Sequence, residues 1–169
     1  MNKLMTALSA SVFLCLSSFS PLWADGWGNT TWGMDIPQVE MATKSKVTFN
    51  EKQNSHKLQD DISIGQYNFS VSLKFTNGKL DKVTLAAYES GKDYDVYSFL
   101  LDELKKKYGP PSVGPTEKRD RFSIMNDAEW VTKETVIKLN NFFMSLSGKT
   151  YKGTTVDYSP RQSASSGNL

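Results

Sequence analysis

Residues 67–75 decide the fold and read Tyr67-Asn68-Phe69-Ser70-Val71-Ser72-Leu73-Lys74-Phe75. Apolar and polar side chains alternate along this stretch, which is the period-two pattern of a strand with one face in a core and the other in water. Asn77-Gly78 follows and tolerates the positive φ angles of a tight hairpin turn. The run that contains Val83, Leu85 and Ala87 then predicts a second, antiparallel strand. This hairpin indicates an architecture and carries no catalytic signature.

Two helices are predicted on either side of the hairpin. The shorter one is predicted at residues 36–44, because Asp35 can cap its first turn. Pro37 is tolerated in that turn, since the backbone N–H that proline lacks would have no partner within the helix there. Residues 93–108 form the longer one, in which acidic residues lead and basic residues trail, as the helix dipole favours. Gly109-Pro110-Pro111 ends it. The stripe expected to face the core consists of Tyr94, Tyr97, Leu100, Leu101, Leu104 and Tyr108.

The remaining strands are short and separated by polar segments. Residues 50–61 are interpreted as the longest loop, residues 112–127 as a turn-rich charged segment, and Asn140-Asn141 as a turn. The predicted fold is α+β, an antiparallel sheet packed on one face by one short and one long helix. The further strands are expected at residues 47–49, 62–65, 128–132, 135–139, 142–146 and 154–158.

The first 24 residues have the pattern of a cleaved signal peptide. Met1-Asn2-Lys3 is a short positive start, and residues 4–16 form an apolar run. That run is shorter than the roughly 20 residues that span a bilayer, so no stable membrane anchor is expected. Ala24 is the small residue that a signal peptidase needs, and cleavage is predicted between Ala24 and Asp25. We therefore predict a bacterial protein that is periplasmic or secreted.

Removal of these 24 residues from 169 leaves 145, the usual size of one domain. Residues 25–31 are interpreted as a flexible lead-in, residues 32–158 as a single α+β domain and residues 159–169 as a disordered tail. The tail is rich in serine and contains almost nothing to bury.

Charge and cysteine content exclude several classes of function. The chain has 20 basic and 18 acidic residues, and loss of Lys3 leaves a net charge of +1, which argues against a nucleic-acid binder. Cys15 is the only cysteine and leaves with the signal peptide. The exported chain therefore has no disulfide, thiolate metal site or cysteine nucleophile. An exported domain without disulfides fits a bacterial envelope.

Two short motifs carry a family resemblance. Trp32-Gly33-Met34 precedes an acidic cap, with Val39 four residues after that cap, and Tyr108-Gly109-Pro110-Pro111 ends the longer helix. This arrangement resembles the small exported envelope domains related to the outer-membrane assembly lipoproteins and to the β-lactamase-inhibitor protein. The chain lacks the lipobox of the former and the disulfides of the latter. The resemblance implies a scaffold that binds another protein.

The sequence contains no recognisable catalytic arrangement. His56 is the only histidine and lies in the predicted polar loop, so a catalytic triad or a histidine-bearing metal site would have to be built around it. Asp60-Asp61 lacks the spacing of a calcium loop. A glycosidase needs two converging carboxylates, and sequence does not show whether any two converge. We predict no catalytic residue, no metal and no cofactor.

Aromatic and basic residues are the candidates for partner binding. Tyrosine and tryptophan provide a large contact area at low entropic cost, and Trp27 stands in a polar glycine-containing segment with little local reason to be buried. Lys118-Arg119 could contact an anionic partner. The residues chosen as partner-binding are Trp27, His56, Tyr94 and Arg119.

Two hypotheses of function follow. The first is a non-enzymatic protein that binds another envelope protein, as an inhibitor, immunity factor or assembly accessory, with no nucleic-acid partner. The alternative is a small-ligand carrier or carboxylate-dependent hydrolase with a pocket between the longer helix and the sheet. A fully packed helix–sheet interface would exclude the alternative, whereas a cavity of a few hundred Å³ lined by Tyr94, Tyr97 and a carboxylate would favour it.

Overall fold

The protein consists of nine β-strands and two helices over the residues that the structure, a computed structural model, describes: 26–52, 54–87, 95–119, 123–146 and 149–161. The helices are α1 (Ile36–Thr43) and α2 (Asp95–Tyr108). The strands are β1 (Val47–Asn50), β2 (Ser55–Leu58), β3 (Ile62–Ile64), β4 (Tyr67–Thr76), β5 (Lys79–Ala87), β6 (Val113–Arg119), β7 (Ser123–Val131), β8 (Thr135–Leu146) and β9 (Lys149–Pro160).

All nine strands belong to one antiparallel sheet. Eight of them follow the order β1-β2-β4-β5-β9-β8-β7-β6, and β3 pairs with the first residues of β4. Each half of the chain thus places a helix before a run of strands, and the last strands of the two halves, β5 and β9, are neighbours in the middle of the sheet. The first strands, β1 and β6, form the two edges. The strand order of the two halves is therefore approximately symmetric about the β5–β9 pair, although the two halves do not share a repeated sequence.

The hairpin predicted from residues 67–88 is confirmed over the part that is described. β4 and β5 pair from Ser70↔Ala86 to Thr76↔Lys79. Asn77 and Gly78 connect them with φ angles of 51° and 74°, as a tight turn between right-twisted strands requires. Burial alternates along β4 as the pattern predicts, although Tyr67 and Phe75 near its ends are only partly buried. The core-facing residues of β4 are Phe69, Val71 and Leu73.

Helix α1 begins with the predicted cap. The Asp35 carboxylate accepts a hydrogen bond from the Gln38 backbone N–H at 3.1 Å, and the Gln38 side chain accepts one from the Asp35 backbone N–H at 3.0 Å. This reciprocal pair satisfies two donors that the first turn leaves free. The helix ends at Lys44, which is left-handed with φ 56°. Val39 is the residue that α1 buries in the core.

Helix α2 lies on the same face of the sheet. Its buried residues Val96, Leu100 and Leu104 have the spacing of one helix face, and three lysines occupy its last turn. The helix stops before Gly109, whose carbonyl oxygen accepts a 2.9 Å hydrogen bond from Trp130 Nε1 on β7. Residues 93 and 94 of the predicted helix lie outside the described residues.

The predicted α+β class is wrong, because strands dominate the described chain. The helices have only 8 and 14 residues, and the fold is mainly β, with both helices on one face of a nine-stranded antiparallel sheet. Part of the error lies in the predicted loop 50–61, which contains β2, and in the predicted turn-rich segment 112–127, which contains β6 and the start of β7. These strands lie at or near the edges of the sheet, where few side chains are buried and the alternating signal is weak.

Asn140-Asn141 is also not a turn. Both residues lie inside β8, where Asn140 pairs with Asp127 on one side and Thr155 on the other. Neighbouring strands satisfy the backbone groups at this point, so two polar residues that favour turns remain in a central strand.

Candidate functional site

The two faces of the sheet differ in what covers them. Both helices and the core lie on one face, which we call the helix face. No described element covers the other, which we call the open face. The strand registers place one row of side chains across this face from strand to strand. The row consists of Lys57, Ser72, Thr84, Asp157, Lys138 and Glu129.

Asp157 forms the centre of the open face. Its carboxylate accepts a hydrogen bond from Lys82 Nζ at 2.9 Å and another from Thr84 Oγ1 at 2.6 Å. Both donors belong to β5, so the cluster ties together the two strands at which the halves of the chain meet. The Asp157 side chain retains 22% of its accessible surface. The centre of the open face is therefore polar, ordered and accessible to a partner.

The part of the open face formed by β6 and β7 exposes apolar side chains. Met125 and Val131 of β7 and Val113 of β6 are 45%, 39% and 57% exposed. Phe142 is the strand partner of Met125, and its ring lies over Gly153, where an added Cβ would come within 2.7 Å of the ring. On β7, Asp127 and Glu129 stand between Met125 and Val131, so apolar and charged side chains are interspersed here, a mixture that protein interfaces share.

Two ion pairs border these apolar residues. Lys118 Nζ lies 3.0 Å from an Asp127 carboxylate oxygen, and Lys138 Nζ lies 3.1 Å from one of Glu129. A shallow depression of about 240 Å³ is lined by all four of these residues. The open face therefore combines apolar contact area with charges of both signs, the composition that gives an interface orientation and specificity.

The two edges of the sheet are less suited to accept an additional strand. β6 contains Pro115, which has no backbone N–H, and its register with β7 shifts between Val113 and Thr116. β1 at the opposite edge has only four residues. Prolines, irregular register and short length are the features by which natural sheets block edge pairing. The face of the sheet is therefore a better candidate surface than its edges.

A cavity of about 410 Å³ lies beside α2 on the helix face, and we call it the central cleft. Its floor is the middle of the sheet, and one wall is α2. Trp27 and Ile64 complete the opposite side. Its sheet and helix residues include Leu85, Val156, Tyr158, Leu100, Leu104 and Tyr108.

Trp27 is held over this cleft by a compact turn. Thr30 is fully buried, and its hydroxyl donates a 2.6 Å hydrogen bond to the Trp27 carbonyl oxygen and accepts a 3.2 Å bond from the Trp27 backbone N–H. Trp27 and Gly28 also line a second cavity of about 360 Å³, next to the end of α1. Trp27 was expected to have little reason for burial, yet it packs against the core because the turn directs it there.

The second cavity joins two features that the sequence singled out. Asp60 and Asp61, from the end of the predicted polar loop, line it together with Trp27. Asp60 accepts a 3.0 Å hydrogen bond from the Ser45 hydroxyl. Within the described ranges, no group of three or more histidine, cysteine, aspartate or glutamate side chains is arranged to hold a metal ion.

The other residues predicted to bind a partner are not shown to lie next to Trp27. His56 lies in β2 rather than in a loop, with its ring centroid 5.1 Å from that of Phe49 and 5.2 Å from that of Phe75. Arg119 ends β6, and its backbone pairs with Ile124. Tyr94 and the side chain of Arg119 lie outside the described residues, as do Ala24 and Asp25. Trp27 and His56 contact different residues and form no common patch.

Sequence reasoning missed the residues of the open face. Met125 and Val131 belong to the run Ile124-Met125-Asn126-Asp127-Ala128-Glu129-Trp130-Val131, in which apolar residues do not alternate strictly. The signal that was present is Trp130, a large residue expected in the core. In a strand, residues two apart face the same side, so Ala128 shares the buried side with Trp130. The alternate residues Asp127, Glu129 and Val131 then face outward.

Tyr158, which lines the central cleft, makes the stability of the protein depend on pH. Burial, and secondarily the nearby Tyr108, raise the pKa of the Tyr158 hydroxyl above that of a free tyrosine, about 10. Above pH ~10 the unfolded chain loses this proton while the native chain keeps it, so stability falls as pH rises. We expect Tyr158→Phe to flatten the fall in unfolding free energy between pH 9 and 11, measured by urea titration. Equal slopes in the two proteins would contradict the assignment.

Neither helix in the described part of the chain is long and apolar enough to cross a membrane.

The comparisons with known proteins leave the family open. No family model, no curated protein and no solved structure matches this chain. The resemblance based on Trp32-Gly33-Met34 and on the end of the longer helix therefore stays a prediction.

Proposed function

We propose that this protein is an exported, non-enzymatic module that binds another protein of the bacterial envelope through its open face. The observation that carries the proposal is that both described helices lie on one side of the sheet, while no element of the described residues covers the opposite side. On a sheet face that contacts only water, polar side chains alone would be sufficient for a stable monomer. Among the side chains that the structure describes, five large apolar ones are exposed, and three of these lie on this face: Val113, Met125 and Val131.

The arrangement of polar groups on this face supports recognition rather than catalysis. Its acids Asp127, Glu129 and Asp157 are each paired with a lysine, at 2.9 to 3.1 Å. Catalytic carboxylates commonly lie in a cleft that excludes water, and this surface is broad and open. Paired charges around apolar side chains fix the register of a partner and disfavour the wrong one.

The hydrolase form of the alternative has less support. Glu103 is the one carboxylate that lines the central cleft among the described residues, and it forms a 2.7 Å ion pair with Lys106. A glycosidase of the usual kind needs two carboxylates that face the same bond.

The experiment uses the exported chain purified from the periplasm and immobilised as bait for envelope proteins, with its first residue determined by N-terminal sequencing. Any protein retained is purified and titrated against the wild type and two variants. Val131→Glu replaces an exposed apolar side chain of the open face, beside Val136, with a carboxylate, whereas Met41→Glu changes a 77% exposed methionine on α1. We expect Val131→Glu to weaken binding at least tenfold, as the loss of an important apolar contact does, and Met41→Glu to leave it within twofold.

The matched pair separates the possible results. Both substitutions introduce one carboxylate at an exposed apolar position, so a nonspecific effect of charge would act on both. Equal losses, or a loss confined to Met41→Glu, would contradict binding by the open face. If no protein is retained at low or high salt, the proposal of an envelope-protein partner fails.

A further inference from the structure

A depression of about 510 Å³ lies on the open face, across the strands from β4 to β7, and we call it the basic depression. Val131 and Val136, which are strand partners on β7 and β8, form its apolar part, and Ser159 of β9 pairs with Val136. Lys74 and Lys82, which are strand partners on β4 and β5, lie on the other side. Val131 thus belongs both to the exposed apolar side chains of the open face and to this depression.

Four basic side chains line the basic depression, and Asp81 is the one carboxylate that does so among the described residues. The four are Lys74, Lys82, Lys138 and Arg161. Each of the three lysines has an acidic partner. The pairs, with their N–O distances, are Lys82–Asp157 at 2.9 Å, Lys138–Glu129 at 3.1 Å and Lys74–Asp81 at 3.9 Å. The lysines are therefore compensated, and the excess positive charge of the depression is that of Arg161.

Arg161 follows β9 directly, and its side chain is exposed. Its backbone N–H donates a 2.8 Å hydrogen bond to the Glu134 carbonyl oxygen, which fixes this residue beside the turn between β7 and β8. Its Nη1 donates a 3.3 Å hydrogen bond to the Thr132 carbonyl oxygen. A guanidinium has five N–H donors, and no carboxylate of the described residues pairs with this one. Arg161 therefore keeps donors with which it can bind a carboxylate through two parallel hydrogen bonds.

An acidic side chain beside an apolar one matches this combination of groups. Val131 is 39% exposed and lines the same depression as Arg161, so one segment of a partner can contact both. A small inorganic anion would bind the guanidinium and leave the valines in water, whereas a segment of a protein also buries them. The charge pair orients the partner, and the apolar contact adds affinity.

We propose that the partner of the open face presents an acidic side chain to Arg161, next to an apolar side chain that contacts Val131 and Val136. This inference rests on the proposed function, since it names the chemistry of the segment that the open face receives. It adds that binding depends on a cation outside the ion pairs of the sheet.

Titration of the isotope-labelled exported chain with two capped peptides, followed by nuclear magnetic resonance, tests the chemistry directly. The acidic peptide is Gly-Leu-Glu-Glu-Leu-Gly, and its neutral twin has glutamine in place of both glutamates. We expect the acidic peptide to shift the amide signals of Val131, Val136 and Arg161 and to bind at least fivefold more tightly than the twin. Equal affinities, no saturable shift, or shifts confined to the helix face would overturn the inference.

Two charge reversals locate the binding. Arg161→Glu is expected to weaken binding of the acidic peptide at least tenfold, because it replaces the guanidinium with a repelling carboxylate. Lys105→Glu changes the net charge by the same amount at an exposed position of α2, on the helix face, and is expected to leave binding within twofold. Equal effects of the two variants would mean that the peptide responds to the net charge of the protein, which contradicts a site at Arg161.

The envelope protein retained by the wild-type bait separates this inference from the function on which it rests. We expect its affinity to fall at least tenfold with Arg161→Glu, as with Val131→Glu. If Val131→Glu weakens its binding and Arg161→Glu leaves it within twofold, the open face keeps its partner and the acidic contact is wrong. If neither substitution weakens its binding, both the open-face function and the acidic contact fail.

Discussion

Replacing Trp130 with alanine is expected to lower the free energy of unfolding by about 3–5 kcal/mol, as large-to-small changes at buried aromatic residues do. Trp130 is 1% exposed and occupies the helix face of β7. It also connects two elements, because its indole N–H donates a 2.9 Å hydrogen bond to the Gly109 carbonyl oxygen at the end of α2. Alanine therefore removes the core volume and leaves that carbonyl without its donor. Urea unfolding followed by circular dichroism measures the loss.

Trp130→Phe is the matched control, since it keeps most of the aromatic volume and removes the indole donor. We expect it to lower the free energy of unfolding by about 1–2 kcal/mol, the sum of a lost hydrogen bond and a small cavity. If alanine and phenylalanine have the same effect, the hydrogen bond to Gly109 rather than packing dominates. A loss below about 1 kcal/mol for alanine would mean that Trp130 is not part of the core.

The sequence predicted best the features that depend on local chemistry. The hairpin of β4 and β5 follows from strict alternation and from the two turn residues Asn77 and Gly78, all within one short stretch. The start of α1 was predicted from Asp35 and Pro37, and the structure adds Gln38, which exchanges hydrogen bonds with Asp35 without help from the rest of the chain. Such signals remain visible in a sequence because they do not depend on distant partners.

The edge and neighbouring strands depend on partners that are far away in the sequence. β2 contains Leu58 as its only buried residue, and it is a strand because it pairs with both β1 and β4. β6 pairs with β7 along only one side. Since half or more of the surface of these strands faces water, their residues carry little hydrophobic periodicity. The fold class was wrong for this reason, because the missed strands turned a mixed fold into a mainly-β one.

The candidate sites were harder to predict than the fold. Trp27 was chosen from composition and does line two cavities, but the reason is the turn closed by Thr30, which composition does not reveal. The open face could not be predicted, because any half-buried strand has an outward face. Whether that face is covered is decided by where helices dock, and both described helices dock on the other side.

Replacing Val71 with aspartate is expected to lower the free energy of unfolding by more than about 4 kcal/mol, a large part of the total stability of a typical domain. Val71 is 1% exposed and pairs with Leu85 in the middle of the sheet. The change removes a buried apolar side chain, worth about 1.5–3 kcal/mol, and adds a carboxylate that must be buried without a partner or take up a proton. The loss should lessen in acid, where the carboxyl group becomes neutral. Circular dichroism and urea titration at pH 5 and pH 7 measure both effects.

Ser72→Asp is the matched control, because Ser72 is the next residue of β4 and faces the opposite way. It lies half-buried on the open face beside Lys57, its partner in the strand register, so an added carboxylate keeps access to water and lies next to a positive charge. We expect its effect on the free energy of unfolding to stay within about 0.5 kcal/mol, as at most surface positions. The contrast between adjacent residues follows from the period of a strand, in which one step along the chain changes the face. If Ser72→Asp destabilised the protein as much as Val71→Asp, both faces of the sheet would be covered, and the open face could not receive a partner.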